Sequence, residues 1–349
     1  MRITRKVRGL ASYAHGEQPR DLDVIKLNTN EAAYPPSRKV MAELSRIKPE
    51  SLRRYPDAEF TDLRTELARF HHTRTENIFV GNGSDEILSL LADAFVEDNE
   101  IVGTLDPSYS LYRVLAAIRG VKWCGIDWGR KGLQSRLPAK CSLFIWTNPN
   151  NPTGIAVPAK KIVTLAKSFK GVLVIDEAYA DYASSNCLRL ATSSKNRNII
   201  VMRTFSKAYS LAGLRIGYCI GPKDLINALY RIKDSYNVDA IAQRLAIAAI
   251  RDQASLKATV QKVLKTRKWF VSALEKRGWD VIPSEANFIF ARPPNPKDAA
   301  RLFRILRERK IYIRYFAGKK TGDRVRITIG TDTQMRRVLR EIDDVLLHV

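Results

Sequence analysis

Cysteine is scarce in this chain and shows no pattern. The four residues, Cys124, Cys141, Cys187 and Cys219, have no C-x-x-C spacing, which removes zinc ribbons, iron–sulfur ligation and a disulfide framework as organising principles. Three of them lie in or beside apolar runs, as buried free thiols in a reducing compartment do. Histidine is equally sparse. His15, His71, His72 and His348 form no H-E-x-x-H and no cluster with Cys or Asp, so no metal site is expected, and the adjacent His71-His72 reads as the polar end of a helix. No apolar run approaches the roughly 20 residues that span a bilayer. The basic start Met1-Arg2-Ile3-Thr4-Arg5-Lys6 leads into no apolar stretch of the secretory kind, so a cytoplasmic protein without a membrane partner is expected. Repeats and low-complexity segments are absent too.

Acidic residues are in short supply: 36 Asp+Glu against 59 Lys+Arg give a net charge of +23 and a pI near 10.0. Such a balance raises nucleic-acid binding as a hypothesis. The basic residues, densest in 255–349, are nevertheless spread along helix-like segments and never interleaved with aromatics in one tract. They read as a solvated surface that steers anionic small molecules, with no nucleic-acid partner expected.

A regular alternation fills the first two thirds of the 349 residues. Short apolar runs at Ile78–Val80, Ile101–Thr104, Val121–Ile126, Cys141–Thr147, Val172–Ile175, Ile199–Arg203 and Leu214–Ile220 are separated by amphipathic stretches such as Ile87-Leu88-Leu90-Leu91-Ala94-Phe95. Strand–helix alternation predicts an α/β fold whose large domain, 34–249, holds a mainly parallel seven-stranded sheet covered on both faces. After Leu256 the pattern changes to a long charged helix (about Leu256 to Lys276) closed by Gly278. A strand at Asn287–Ala291, a helix near Asp298–Lys310, strands at Ile311–Ile313 and Val325–Ile329 and a final helix from about Thr333 follow. This is a smaller α+β domain, 250–349, which residues 1–33 are expected to join.

Ligands of parallel sheets sit beyond the carboxyl ends of the strands, and four polar motifs follow strand runs there. Gly81-Asn82-Gly83-Ser84-Asp85-Glu86 opens a helix, where glycines and exposed N–H groups suit a phosphate, although a plain glycine turn capped by Ser84 has the same letters. Asn148-Pro149-Asn150-Asn151-Pro152-Thr153-Gly154 follows the fourth run. Asp176-Glu177-Ala178-Tyr179 follows the fifth, and a carboxylate there needs a cationic partner. Thr204-Phe205-Ser206-Lys207-Ala208-Tyr209-Ser210-Leu211-Ala212-Gly213-Leu214-Arg215 follows the sixth. An enclosed lysine that can form a Schiff base, with an acid to hold a pyridine nitrogen protonated, is the minimal equipment for pyridoxal 5'-phosphate chemistry. Arg215 is a fitting fork for the cofactor phosphate.

With these motifs in this order the chain resembles the histidinol-phosphate aminotransferases, in the fold-type I family of pyridoxal-phosphate-dependent enzymes. The likeness runs end to end, through Leu27-Asn28-Thr29-Asn30-Glu31, Arg54-Tyr55-Pro56-Asp57, Pro107-Ser108-Tyr109, Ala286-Asn287-Phe288 and Arg326-Ile327-Thr328-Ile329-Gly330-Thr331. It implies cofactor contacts from Gly83, Ser84, Asp85, Glu86, Thr204, Ser206 and Arg215, with Lys207, Asp176 and Tyr179 as the catalytic set. It further implies that Tyr109 stacks on the cofactor ring and that Asn151 and Tyr179 bond its ring oxygen. Tyr55 is implied to reach the phosphate of a neighbouring subunit, which makes a homodimer. Arg326 is implied to hold the substrate's carboxylate or phosphate, with Arg314 and Tyr13 assisting, since histidinol phosphate and glutamate carry different anions at equivalent positions. Where relatives continue Asn30-Glu31 with Asn-Pro, this chain has Ala32-Ala33, a departure that bears on side-chain specificity and not on cofactor chemistry. The activity so implied is amino transfer between histidinol phosphate and 2-oxoglutarate in histidine biosynthesis. An aromatic amino acid aminotransferase and a threonine-phosphate decarboxylase share the scaffold as alternatives.

Overall fold

The computed structural model describes residues 3, 5–10, 15–21, 23–129, 132–133 and 137–347. All seven apolar runs are strands of one sheet. Across it they lie in the order Ile78–Gly81, Gly217–Ile220, Ile199–Thr204, Val172–Asp176, Cys141–Thr147, Ile101–Asp106 and Lys122–Gly129. An eighth strand, Gly132–Leu133, extends the far edge; two residues are too few to show a period, so it left no mark in the sequence. From Ile199–Thr204 to Lys122–Gly129 every neighbouring pair is parallel. Gly217–Ile220 runs antiparallel to both of its neighbours.

Period-two alternation explains why these runs are apolar throughout. Leu173 and Ile175 join Phe144, Ile199 and Val201 in the core on one face. Val172 and Val174 join Leu143, Ile145, Ile200 and Met202 on the other. Each such side chain, moved fully out of water, contributes about 1.5–3 kcal/mol before chain entropy is counted. The helix Gly83–Phe95 covers the second face with Ile87, Leu88, Leu91 and Ala92, the recurrence of an amphipathic helix.

A third core surrounds a four-stranded antiparallel sheet in the order Asp280–Ile282, Phe288–Arg292, Val325–Thr328, Arg314–Tyr315. The helices Gln253–Glu275, Asp298–Glu308 and Asp332–Leu347 pack on it. Two details differ from the sequence reading. Asp280–Ile282 is an additional strand, and so is Arg314–Tyr315, just beyond the run Ile311–Ile313. Ile311–Tyr312 pairs in parallel with Ile25–Lys26, while Arg314–Tyr315 pairs with Val325–Thr328. That pairing brings the segment Asn28–Glu31 across to the large sheet.

Cys141, Cys187 and Cys219 are buried free thiols, and Cys124 is half-buried. His71 departs from its expected polar setting. It is buried at the end of the helix Thr61–His71 and hydrogen-bonds the Tyr218 hydroxyl at 2.8 Å. Burial, with the Arg203 charge adding to it, pushes its imidazole down to about 3; only His72, in the left-handed cap, is the expected polar terminus. Among the described residues no helix is long and apolar enough to cross a membrane.

Beneath the sheet's carboxyl edge lies a buried ion pair. Arg203 donates from Nε (3.0 Å) and Nη2 (2.8 Å) to one oxygen of Glu177, whose side chain is fully enclosed, and Asp181 stands 3.7 Å from Nη1. Breaking a buried pair strands the remaining charge, at a cost of about 3–5 kcal/mol. Arg203→Ala should therefore lower the unfolding free energy measured in urea by an amount of that size. The double variant Arg203→Met/Glu177→Leu should recover most of it. Equal loss in both would show that packing, and not the stranded carboxylate, sets the effect.

Candidate active site

The carboxyl ends of the parallel strands, the segment 28–31 and the antiparallel sheet enclose a cavity of about 520 Å³. Lys207 enters it from the turn after Ile199–Thr204. Phe205 is fully buried and anchors that turn, while the Ser206 N–H donates to Thr204 Oγ1 at 3.1 Å. Lys207 Nζ donates to the Thr29 carbonyl at 3.0 Å and lies 5.9 Å from the Tyr179 ring centroid. Burial lowers its ammonium to about 8, and the Arg326 charge adds to the effect. An amine poised so close to neutrality supplies a neutral, nucleophilic fraction at physiological pH.

Asp176, 4% exposed, ends the central strand Val172–Asp176. Its Oδ2 accepts the Tyr112 hydroxyl at 2.6 Å and its Oδ1 the Ala178 N–H at 3.0 Å. Burial pushes its carboxyl up to about 6 against the pull of the Tyr112 hydrogen bond. Tyr112 in turn is linked to Thr147 Oγ1 at 2.7 Å. Tyr112 carries no motif in the sequence; its signal is positional, one helical turn beyond Tyr109, whereas Thr147 closes the strand run that leads into Asn148.

On one side of Lys207 is a cradle for an anion. Ser84, Asp85, Thr204, Ser206 and Arg215 line the cavity there. Gly83 has φ +80°, and a Cβ on it would lie 2.7 Å from Arg215 Nη2. Gly217 is confined more strictly still, because its Cβ would lie 2.9 Å from the Ser84 backbone nitrogen and 3.1 Å from the Arg203 carbonyl oxygen. Arg215 is held toward the helix start by Asp85 Oδ2, 3.2 Å from Nη2. The first N–H groups of the helix Gly83–Phe95 thus lie beside a guanidinium and two hydroxyls, an arrangement suited to phosphate. Glu86 does not join it. Its Oε2 accepts from the Asn82 N–H (2.6 Å) and Asn237 Nδ2 (2.7 Å), so it ties the loop from behind.

The opposite wall comes from the antiparallel sheet. Arg326, 5% exposed, lies between the rings of Phe288 and Phe316, 5.4 and 5.3 Å from their centroids. Its Nη1 donates to Asn151 Oδ1 and its Nη2 to the Asn28 carbonyl, both at 2.6 Å. Arg314 is its direct cross-strand partner and donates to the His15 carbonyl at 3.2 Å. Asn151 is positioned by its own loop, in which Asn148 bonds both backbone groups of Val157 and Asn150 Oδ1 accepts from Thr153. The Tyr179 hydroxyl accepts from Asn30 Nδ2 at 2.9 Å. Tyr109 lines the cavity with its ring edge-on to Tyr112 at 5.5 Å. Tyr55 lies elsewhere: it is 80% exposed, stacks on Tyr236 at 4.4 Å and borders a different hollow beside Asp239. Tyr13 lies outside the described residues. Among the described residues no group of three His, Cys, Asp or Glu side chains is disposed to hold a metal ion.

The chain is similar to known proteins along nearly its whole length. A family model, aminotransferase class I and II, matches residues 22–342. A histidinol-phosphate aminotransferase of Geobacter sp. (strain M21) is 41% identical, with 97% of each chain covered. One from Syntrophotalea carbinolica is 40% identical over 98% of this chain and 99% of its own. Among solved structures, the Sinorhizobium meliloti histidinol-phosphate aminotransferase in complex with pyridoxal-5'-phosphate superposes with a TM-score of 0.91 at 26% identity, covering 99% of this chain and 98% of that one.

The Asp176 carboxyl makes a pH-dependent prediction for the cofactor-free protein. Its folded value, about 6, lies above the ordinary 3.8. Between those values the folded chain keeps a proton that the unfolded chain has lost, so its contribution to stability falls as pH rises toward 6 and is flat above. Two pH units correspond to about 3 kcal/mol. Relative to Asp176→Asn, the wild type should lose roughly that much between pH 4 and 7 in urea titrations. Parallel curves for the two proteins would contradict it.

Proposed function

The chain belongs to the aminotransferase class I and II family, and from that premise we propose that it transfers the amino group of histidinol phosphate to 2-oxoglutarate on bound pyridoxal 5'-phosphate. The observation that carries the reading is a single cavity holding a lysine near neutrality, a buried carboxylate without a cation, and two arginines paired across adjacent strands. The cofactor fits the residues present. A pyridine N–H⁺ would supply a positive partner for the carboxyl of Asp176, which burial raises, and the cradle of Ser84, Ser206 and Arg215 suits its phosphate.

When bound, pyridoxal phosphate supplies an electron sink that lets a C–H bond beside an amine ionise. Lys207 Nζ would be the covalent anchor of the cofactor, and once freed by the substrate amine it would be the base placed to take the proton from the substrate Cα. Asp176 would hold the ring nitrogen protonated, and Tyr112 with the Ala178 N–H keeps the carboxylate in place. Asn151 and Tyr179 would serve the ring oxygen, and Tyr109 the ring face. Arg326 grips the anion on the substrate's amine-bearing carbon, phosphomethyl in one half-reaction and carboxylate in the other, with Arg314 outside it. A guanidinium fork fits both shapes.

The division into 34–249 and 1–33 with 250–349 belongs to the same reading, the cavity lying between the two units. A homodimer is proposed through the face that carries Tyr55, where Met41, Leu44, Leu52 and Tyr236 are also exposed; Tyr55 would there reach the partner's phosphate cradle. A cytoplasmic location is supported by the free thiols.

The first test is 2-oxoglutarate-dependent turnover of histidinol phosphate, phenylalanine and threonine phosphate, with carbon dioxide release followed in parallel. Preferred transfer from histidinol phosphate supports the reading, and decarboxylation or a preference for phenylalanine sinks it. Lys207→Ala should abolish turnover, and borohydride should fix the cofactor to the Lys207 peptide of the wild type; a label on another lysine reassigns the site. Arg326→Ala loses a charge-assisted contact in a water-poor site, a cost on the order of 2–5 kcal/mol. That is roughly 30- to several-thousand-fold in kcat/KM. Both half-reactions should suffer, and an unchanged glutamate half-reaction would show that the two anions do not share Arg326.

A further inference from the structure

We infer that Asn30 is a positioning residue that fixes the direction of the Tyr179 hydrogen bond into the cavity and, through Thr328, ties that bond to the strand bearing Arg326. Asn30 is 1% exposed and adopts φ 57°, a left-handed conformation that asparagine tolerates better than most side chains. Every polar group it owns is engaged. Its N–H donates to Thr328 Oγ1 at 3.1 Å, and the Thr328 hydroxyl donates back to Asn30 Oδ1 at 3.0 Å. Its carbonyl accepts from Asn287 Nδ2 at 3.1 Å. Its Nδ2 donates to the Tyr179 hydroxyl oxygen at 2.9 Å.

The reciprocal pair with Thr328 orients the amide. Turned over, Asn30 would set two donors, its amide NH2 and its backbone N–H, on one hydroxyl oxygen and present Oδ1 to Tyr179. As it stands, the NH2 end meets Tyr179. A phenol oxygen that accepts from Asn30 keeps its own proton for a different acceptor. Asn151 obeys the same logic: its Oδ1 is engaged by Arg326, so its NH2 end is the one presented onward. Two donors are thereby set to serve one oxygen acceptor that carries negative charge. The enclosing residues are themselves buried, Thr328 at 2%, Asn287 at 1% and Tyr179 at 5% exposure. Thr328 stands two residues from Arg326 on Val325–Thr328, so a shift of that strand is felt at Tyr179. The identity of the acceptor, the cofactor's ring oxygen, rests on the proposed function; the direction of the bond does not.

The test is a double-variant cycle of Asn30→Asp and Tyr179→Phe. The aspartate keeps the shape but accepts from Tyr179 where the amide donated, drawing the phenol proton away from the cavity. The readout in the holoenzyme is the pH midpoint of the visible absorption of bound pyridoxal phosphate. Losing a donor to a charged oxygen makes the cofactor more basic, so each single variant should raise the midpoint by about one pH unit. The double variant should go no further than Tyr179→Phe alone. An unchanged midpoint in Asn30→Asp overturns the proposal. A shift that persists in the Tyr179→Phe background does so as well, since it would be the plain effect of a new negative charge. If Asn30→Asp does not fold, Thr328→Val should raise the midpoint while Thr328→Ser leaves it in place; no difference between them overturns the coupling. Wild type that gains no visible band with pyridoxal phosphate defeats the proposed function instead. The cycle is then read in the thermal midpoints of the cofactor-free proteins, where additive effects of Asn30→Asp and Tyr179→Phe overturn the inference.

Discussion

Charge withheld from water at the carboxyl edge of a doubly covered sheet is the constraint on which the rest of this structure depends. Both faces of Val172–Asp176 are sealed by apolar cores, so the carboxylate that ends the strand, 4% exposed, meets little water. Two hydrogen bonds, from Tyr112 and the Ala178 N–H, hold it in place without neutralising it. Its neighbour Glu177 is just as buried but has a guanidinium against it. One residue of chain separates an acid that has a guanidinium against it from one that has only hydrogen bonds. Burial raises both carboxyls, and only at Glu177 does a nearby positive charge oppose it.

The second sheet turns this edge into a site. Ile25–Lys26 pairs with Ile311–Tyr312, and the chain then runs through Asn28–Glu31 between the two layers. There it gives Lys207 an acceptor at the Thr29 carbonyl, Arg326 an acceptor at the Asn28 carbonyl, and Tyr179 a donor at Asn30. Three consecutive residues thus serve three groups on different elements. Such sharing makes the relative placement of the sheets a property of the site, since none of these bonds survives a displacement of more than an ångström or so.

How much of this was legible follows from where each signal is stored. The strands could be read because burial on both faces demands unbroken apolar runs, and the positions of Asp176 and Lys207 followed from those runs. Arg215 could be read because a phosphate suits a guanidinium fork, and Arg326 only through the resemblance carried by Arg326–Thr331. Tyr112 and Asn30 left no such trace. Their roles depend on contacts to residues 64 and 149 positions away, and nothing in the local pattern distinguishes a tyrosine that bonds a carboxylate from one that fills a core. His71 misled for the same reason: its burial comes from Tyr218, on a strand far along the chain. Glu86 was read as part of the phosphate turn by adjacency, but one further step around the helix carries its side chain behind the loop.

The two arginines illustrate how electrostatics and geometry combine at the same point. Arg326 Nη1 and Nη2 donate to two neutral oxygens, Asn151 Oδ1 and the Asn28 carbonyl. The Arg326 charge is the second cause, after burial, of the depressed Lys207 ammonium. A neutral acceptor is readily exchanged for an anionic one, because charge-assisted hydrogen bonds are about twice as strong. An anion seated on Arg326 offsets its field at Lys207, so the lysine binds a proton more firmly when the site is filled than when it is empty. Phe288 and Phe316 make this coupling effective: by excluding water around the guanidinium they keep the local dielectric low, and in a low dielectric one charge is felt strongly by the next.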